Sequence, residues 1–221
     1  MKLADHLRRY VELAAQADDL FRTVERLHGE FMPCRVGCND CCSVYFELSL
    51  IEAFTLSSVF RQGLPPDMQA RVLSRAEMVE PLFVDAKTML QSMGPGDFPD
   101  RVDRIDAASR LKIPCPLNED ASCVLYEHRP ITCRLYGTPQ DIGDRVVSCP
   151  KTGFEKGRKY HTVNVPEIQS KLFTFSADFL SDLLGLTGPV PHGPLFLVPV
   201  ALRTRFDKEF FLTLGQALET S

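Results

Sequence analysis

The residues most able to do chemistry in this sequence are its cysteines. Four lie in a first tract with the spacing C-x3-C-x2-C-C, and four follow in a second tract with seven, nine and fifteen residues between them. Thiolates that are close in sequence can reach one point with little ordering of the chain, as a metal site requires. We therefore predict that all eight are metal ligands: Cys34, Cys38, Cys41, Cys42, Cys115, Cys123, Cys133 and Cys149.

The kind of metal centre stays open at this point. Thiolates are soft donors that suit iron–sulfur clusters and zinc alike. Three close cysteines with a distant fourth favour a 4Fe-4S cluster, whereas a zinc ribbon needs two C-x-x-C knuckles and only Cys38 and Cys41 form one. The adjacent Cys41 and Cys42 do not close easily on one ion, which indicates a cluster, two neighbouring ions or one bystander. We expect an iron–sulfur cluster first, zinc or iron ions second, and redox thiols or disulfides last.

The spacing C-x3-C-x2-C is also typical of radical S-adenosylmethionine enzymes. Those enzymes usually have an aromatic residue before the third cysteine, where this chain has Asp40. They also need alternating strands and helices, which this sequence does not indicate. We set this interpretation aside.

The two tracts together carry a family resemblance. The first reads CRVGCNDCC from Cys34, and the second reads CPL from Cys115 and CVLYEHRPITCR from Cys123. This combination resembles the zinc- or iron-chelating cysteine-cluster family of YkgJ-type proteins, with one extra residue between the first two cysteines. The resemblance covers roughly residues 34 to 149 and implies metal chelation. A related group looks like flagellin lysine N-methylase, which implies an enzymatic alternative by analogy.

Basic residues near the cysteines are candidates to balance the charge of the centre. Four thiolates on a divalent ion leave a formal charge of about −2, which needs compensation when it is buried. We predict that Arg129 and Arg134 lie next to the metal ligands and help to neutralise and orient them. Arg35 and Lys151 are further candidates, and His128 and His161 are the histidines nearest to the cysteines in sequence.

Helical patterns surround these tracts. Apolar residues recur every three or four positions over the first thirty residues, and Ser49 and Glu52 form a capping box that opens a second helix to about Gln62. We predict further helices from Pro65-Pro66 to about Ser92, broken or kinked at Pro81. The remaining predicted helices are Val102 to Leu111, Ile131 to Tyr136, Pro166 to Leu184 and Phe206 to Leu218.

The predicted fold is therefore mainly α, with helices around irregular cysteine-rich metal-binding loops. We expect a single domain over residues 1–221, with an N-terminal helix (1–32), a cysteine-cluster core (33–150) and a helical C-terminal extension (151–221).

Composition limits the remaining functions. The net charge of −4 lacks the basic excess of nonspecific nucleic-acid binding, so we expect no nucleic-acid partner. No apolar run nears the ~20 residues of a membrane span, and the charged N-terminus does not look like a secretory signal. We expect a cytoplasmic metal-binding protein whose partner is unknown. The alternatives are an enzyme that uses the centre for redox or methyl-transfer chemistry, and a partner-binding module stapled by metal.

Overall fold

The structure of the protein, a computed structural model, describes residues 2–35, 37–92, 107–108, 110–143, 145–186 and 190–219. Helices dominate these residues, so the prediction of a mainly α fold is confirmed. None of the described helices is both long enough and apolar enough to cross a membrane. The helices are α1 (Leu3–His28), α2 (Leu50–Gly63), α3 (Pro66–Ser92), α4 (Ile131–Leu135), α5 (Val165–Leu184), α6 (Val198–Arg203) and α7 (Lys208–Glu219).

Short two-residue strands form three small sheets among the described residues. In antiparallel pairs, β1 (Glu47–Leu48) lies against β7 (Phe196–Leu197), and β2 (Asn118–Glu119) lies against β3 (Ser122–Cys123). In a third sheet, β4 (Gln140–Asp141) lies between antiparallel β5 (Val146–Val147) and parallel β6 (Val163–Asn164).

Helix α1 supplies one wall of the core. Its apolar stripe, which includes Tyr10, Leu13 and Ala17, is buried, while most of its charged residues are exposed. It packs on α4 and α5, as an amphipathic helix packs its apolar face. The prediction of an N-terminal helix is confirmed, and a 3-10 turn at Gly29–Phe31 follows it.

The capping box of α2 is confirmed, and it does more than begin one helix. Glu52 accepts hydrogen bonds from the Ser49 backbone N–H (3.0 Å) and hydroxyl (2.9 Å). Its second oxygen accepts the N–H of Ile131 (3.1 Å), which is the first residue of α4. Burial raises the pKa of Glu52, although the hydrogen bonds oppose that shift. One buried carboxyl therefore holds two helix N-termini together.

Three sequence predictions need correction. A break or kink was predicted at Pro81, but helix α3 is not broken there; Val79 and Phe83 are buried on either side of Pro81, and α3 packs on α6. The first cysteine tract is not all irregular loop, because Asp40–Ser43 forms a 3-10 turn. Helix α6 was not predicted; it carries Pro199 in its first turn, where proline is tolerated. The predicted helix from Val102 to Leu111 falls mostly outside the described residues.

Candidate metal centre

The two cysteine tracts meet beside α1. The N–H of Cys115 donates to the carbonyl oxygen of Cys42 at 2.7 Å, which joins the second tract to the first. Cys123 ends the small hairpin β2–β3, and Cys133 lies in α4. The left-handed backbone of Asp120 and Ala121 makes the tight turn of that hairpin.

A cavity of about 560 Å³ lies where the tracts meet. Seven of the eight cysteines line it, all except Cys115, and α1 adds Asp18, Phe21, Arg22 and Glu25 to the wall. All eight cysteines are free thiols, with no disulfide among them. Neither His128 nor His161 is part of this wall.

One set of thiols surrounds the adjacent pair, and we call it the doublet group. A hydrogen bond from the Cys42 side chain, helped by Arg129, lowers the pKa of Cys41 to about 7, while the same bond raises that of Cys42. Burial raises the pKa of Cys133 well above its ordinary value, and the sulfurs of Cys41 and Cys115 add to the effect. These thiols change one another's pKa because their sulfurs lie close together in a buried environment. The doublet group is Cys41, Cys42, Cys115, Cys123 and Cys133.

The three remaining thiols line the same cavity as Asp40, which one of them contacts, and we call them together with Asp40 the Asp40 group. The Cys149 thiol donates to Asp40 Oδ2 at 3.5 Å, and the Tyr136 hydroxyl donates to the same oxygen at 3.1 Å. Burial raises the pKa of Cys34 to about 11, and the nearby Cys38, Cys149 and Cys41 raise it further. The Asp40 group is Cys34, Cys38, Cys149 and Asp40.

Two lysines neutralise this buried carboxylate. Lys151 Nζ lies 3.2 Å and Lys112 Nζ 3.5 Å from Asp40 Oδ1. Burial acts to raise the pKa of Asp40, but the hydrogen bonds from Lys151 and Tyr136, together with Lys112, outweigh it and hold that pKa below its ordinary value. Asp40 therefore carries its charge inside the wall of the cavity.

The two arginines predicted to support the ligands lie in different environments. Arg129 stacks its guanidinium 3.6 Å from the Tyr126 ring centre, and its charge acts to lower the pKa of Cys41, Cys123 and Cys133. Arg134 is nearly buried and donates to Asp18 Oδ2 (2.5 Å), to the Arg129 carbonyl (2.7 Å) and to the Glu127 carbonyl. Arg129 therefore faces the sulfurs, while Arg134 fastens the second tract to α1.

The cavity wall does not contain a ready ligand set. Within the part of the chain that the structure describes, no three His, Cys, Asp or Glu side chains stand in an arrangement that could hold a metal ion as they are. Comparison of the chain with protein-family models, curated proteins and solved structures finds no match. The chemistry and positions of the residues around the cavity are therefore what indicate a site.

Asp40 was not predicted from the sequence to belong to the site. Its only signal was an acidic residue inside a cysteine tract, which is ambiguous without the tertiary contacts. The partner of Arg134, Asp18, was also missed, since it lies 116 positions away on the charged face of α1. Lys151 was a predicted compensating charge and does contact the site through Asp40.

Proposed function

We propose that this protein binds a thiolate-ligated metal centre, an iron–sulfur cluster as the first expectation and zinc or iron ions as the alternative. The observation that supports this proposal is that thiols from both tracts line one cavity. Metal binding by thiols requires several deprotonated sulfurs at one point. The free energy of binding then offsets the cost of burying several thiols close together. The motif resemblance to the cysteine-cluster family agrees with this proposal.

The protein's own residues fit such a centre in type and in charge. The doublet group offers five sulfurs, one more than a tetrahedral ion or a 4Fe-4S cluster needs. Arg129 supplies a positive charge beside three of them, fixed by its stacking on Tyr126. Ligation would require these side chains to rotate, since no three donors are arranged around one point as they stand among the described residues.

The decisive experiment is metal analysis of the full chain purified without oxygen, together with its absorption spectrum. An iron–sulfur cluster gives a brown protein with a broad band near ~400 nm, whereas zinc gives none. We expect Cys133→Ser and Cys115→Ser to lose the metal, and Ser148→Ala, a polar change next to Cys149, to retain it. Protein that folds and contains less than about 0.1 iron or zinc per chain would contradict the proposal.

The support from Arg129 is tested separately. Loss of a residue that supports metal ligands typically weakens metal binding by about 10–100-fold. We expect that range for Arg129→Met, measured by competition with a chelator. Arg22→Met is the matched control, because Arg22 lines the same cavity but is paired with Asp19 at 2.5 Å. Equal affinities for both variants would remove Arg129 from the site.

The size of the cavity favours a second candidate function. Small-molecule sites typically occupy about 300–1,000 Å³, and about 560 Å³ is far more than a metal ion fills. We propose as the alternative that the protein is an enzyme in which a substrate or cofactor binds beside the centre, for redox or methyl-transfer chemistry. Titration of the metal-loaded protein with S-adenosylmethionine tests the methyl-transfer form. An unchanged Tm and no heat of binding would count against it.

A further inference from the structure

A groove lies between α1 and the segment that leads into α5. Its volume is about 480 Å³, and the buried side chains of Leu13, Ala17 and Ile168 form its floor. Leu20, which also lines the groove, is 40% exposed, and Leu27 is 43% exposed two turns further along the same face of α1. Apolar side chains that line an open groove in this way often mark a surface where another molecule binds.

One wall of the groove is the edge of a sheet. Strand β6 pairs with β4 on one side, where the N–H of Val163 donates to the Pro139 carbonyl oxygen at 2.9 Å, and no other described strand pairs with it. Thr162, Val163 and Asn164 all line the groove. An edge strand can pair with the backbone of an added peptide, whose alternate side chains then enter the pocket beside it. The groove therefore fits an extended peptide with apolar side chains.

A loop of residues 148–162, which connects β5 to β6, lies at the His28 end of this groove. The N–H of His161 donates to the Nε2 atom of His28, the last residue of α1, at 3.2 Å. The next residue, Thr162, lines the groove together with Thr23 of α1. Thr23 is five residues, or about 7.5 Å along the helix axis, before His28. The loop and the groove therefore form one continuous surface.

The aromatic side chains of this loop hold it in place. The rings of Phe154 and Tyr160 meet edge to face with their centres 4.8 Å apart, and both contact the Phe31 ring. The N–H of Gly153 donates to the Phe31 carbonyl oxygen at 2.8 Å. The N–H of Glu155 donates to the Tyr160 hydroxyl at 3.2 Å. Compact loops that are packed by their own side chains are frequently functional.

The loop presents positive charge that the rest of the described chain does not neutralise. Lys156, Arg158 and Lys159 are exposed, and none of them makes an ion pair with another described residue. Glu155 is the only acidic residue in the sequence between β5 and β6. Arg158 is held over the Phe31 ring, with its guanidinium carbon 5.3 Å from the ring centre. The charge on this loop is therefore free to attract a negatively charged partner.

We infer that the groove and the loop form a docking surface for an acidic segment of a partner protein. The segment lies extended along β6, with its apolar side chains on the groove floor and its carboxylates beside Lys156, Arg158 and Lys159. A nucleic acid fits less well, because it would place phosphates rather than apolar groups against Leu20, and because the chain has a net charge of −4. The groove shares no lining residue with the cysteine cavity, so this inference does not depend on metal binding.

The test begins with a library of random dodecapeptides displayed on phage and selected on the full chain. We expect the enriched peptides to combine Asp or Glu residues with apolar residues, and their affinity is then measured by fluorescence anisotropy. Lys159→Glu should weaken binding about 10-fold, because it places like charges together. Leu20→Ser should weaken binding about 5-fold, because it removes an apolar contact.

Two matched variants serve as controls. Lys208→Glu reverses an exposed lysine at the start of α7, and Val11→Ser replaces an apolar residue of α1 that is 58% exposed and lies outside the groove. Both should bind the peptides as wild type does. Circular dichroism verifies that each variant is folded. Metal content should be the same in all four variants, so a failure of this inference is distinguishable from a failure of the proposed function.

Several results would overturn the inference. No enriched peptide, enriched peptides without acidic residues, or equal affinities for Lys159→Glu and Lys208→Glu would exclude an acidic partner segment. Equal affinities for Leu20→Ser and Val11→Ser would exclude the groove. If the chain binds no peptide but binds a poly-dT oligonucleotide or phosphatidylserine vesicles, and Lys159→Glu abolishes that binding, the surface recognises a nucleic acid or a membrane instead.

Discussion

Removing the Arg134 side chain should release the second cysteine tract from α1. The guanidinium makes three hydrogen bonds, to Asp18 on α1 and to the carbonyls of Arg129 and Glu127. Hydrogen bonds that involve a charge contribute about 1.5–3 kcal/mol each, and breaking a buried ion pair costs about 3–5 kcal/mol. Asp18 is 31% exposed and regains water in the variant, which reduces the loss. We expect Arg134→Met to lower the free energy of unfolding by about 3 kcal/mol.

Urea unfolding of protein freed of metal with a chelator measures this loss, and a reductant prevents disulfides from forming between the cysteines. Arg22→Met is the matched control, because it removes an arginine on α1 whose pair with Asp19 is exposed, with 65% and 72% of the two side chains accessible. Exposed pairs contribute about 0–1 kcal/mol. Arg134→Lys should lose about half of the Arg134→Met effect, because a single ammonium does not reproduce the planar fork that serves three acceptors.

A double-mutant cycle tests the specific partner. Arg134→Met and Asp18→Asn should be coupled by about 1–3 kcal/mol, since the two side chains are in direct contact. If Arg134→Met costs no more than Arg22→Met, or if the cycle gives no coupling, then Arg134 does not fasten the tracts together and the reasoning is wrong.

Two further predictions concern positions that hold the site in shape. Burial raises the pKa of Glu52, so its stabilising contribution is complete below the unfolded value of about 4.3 and is lost as pH rises through the folded pKa. Relative to Glu52→Gln, wild type should therefore lose stability from about pH 4 upward in urea unfolding, while the exposed Glu167→Gln shows no such trend; parallel curves for wild type and Glu52→Gln would contradict this. Gly137→Ala should destabilise the protein by about 3 kcal/mol, because it combines backbone strain with a clash at the Cys34 sulfur. Gly157→Ala, at a φ of +88° with open space around it, should cost only about 1 kcal/mol, and equal losses would show that the contact with Cys34 is unimportant.

Local signals made much of the helical framework predictable. The apolar stripe of α1 and the Ser49–Glu52 capping box depend on residues within one or two turns of each other, so the local sequence is enough to predict both. Helix α6 was not predicted, although Pro199 would break only the interior of a helix and is tolerated in the first turn, where it stands. The local pattern does not say where the turn begins.

The membership of the cavity was predictable in part. Cysteine spacing indicated that the two tracts meet, and thiols of both tracts do line one cavity. The division of the eight cysteines into a doublet group and an Asp40 group was not predictable, because it depends on which carboxylate and which lysines lie nearby after folding. Asp40 receives Lys112 and Lys151 from segments that are more than 70 positions away.

The sequence by itself determined most of the helices and the thiols of the proposed metal site, because helix periodicity, capping and thiol chemistry are local properties. Only the tertiary structure decided the partners: Glu52 with Ile131, Arg134 with Asp18, and Asp40 with Tyr136 and Cys149. Each of these pairs joins residues far apart in the chain, and each exists because burial makes an unpaired polar group costly. That cost arises only when the core forms, so these pairs cannot be predicted from a local sequence pattern.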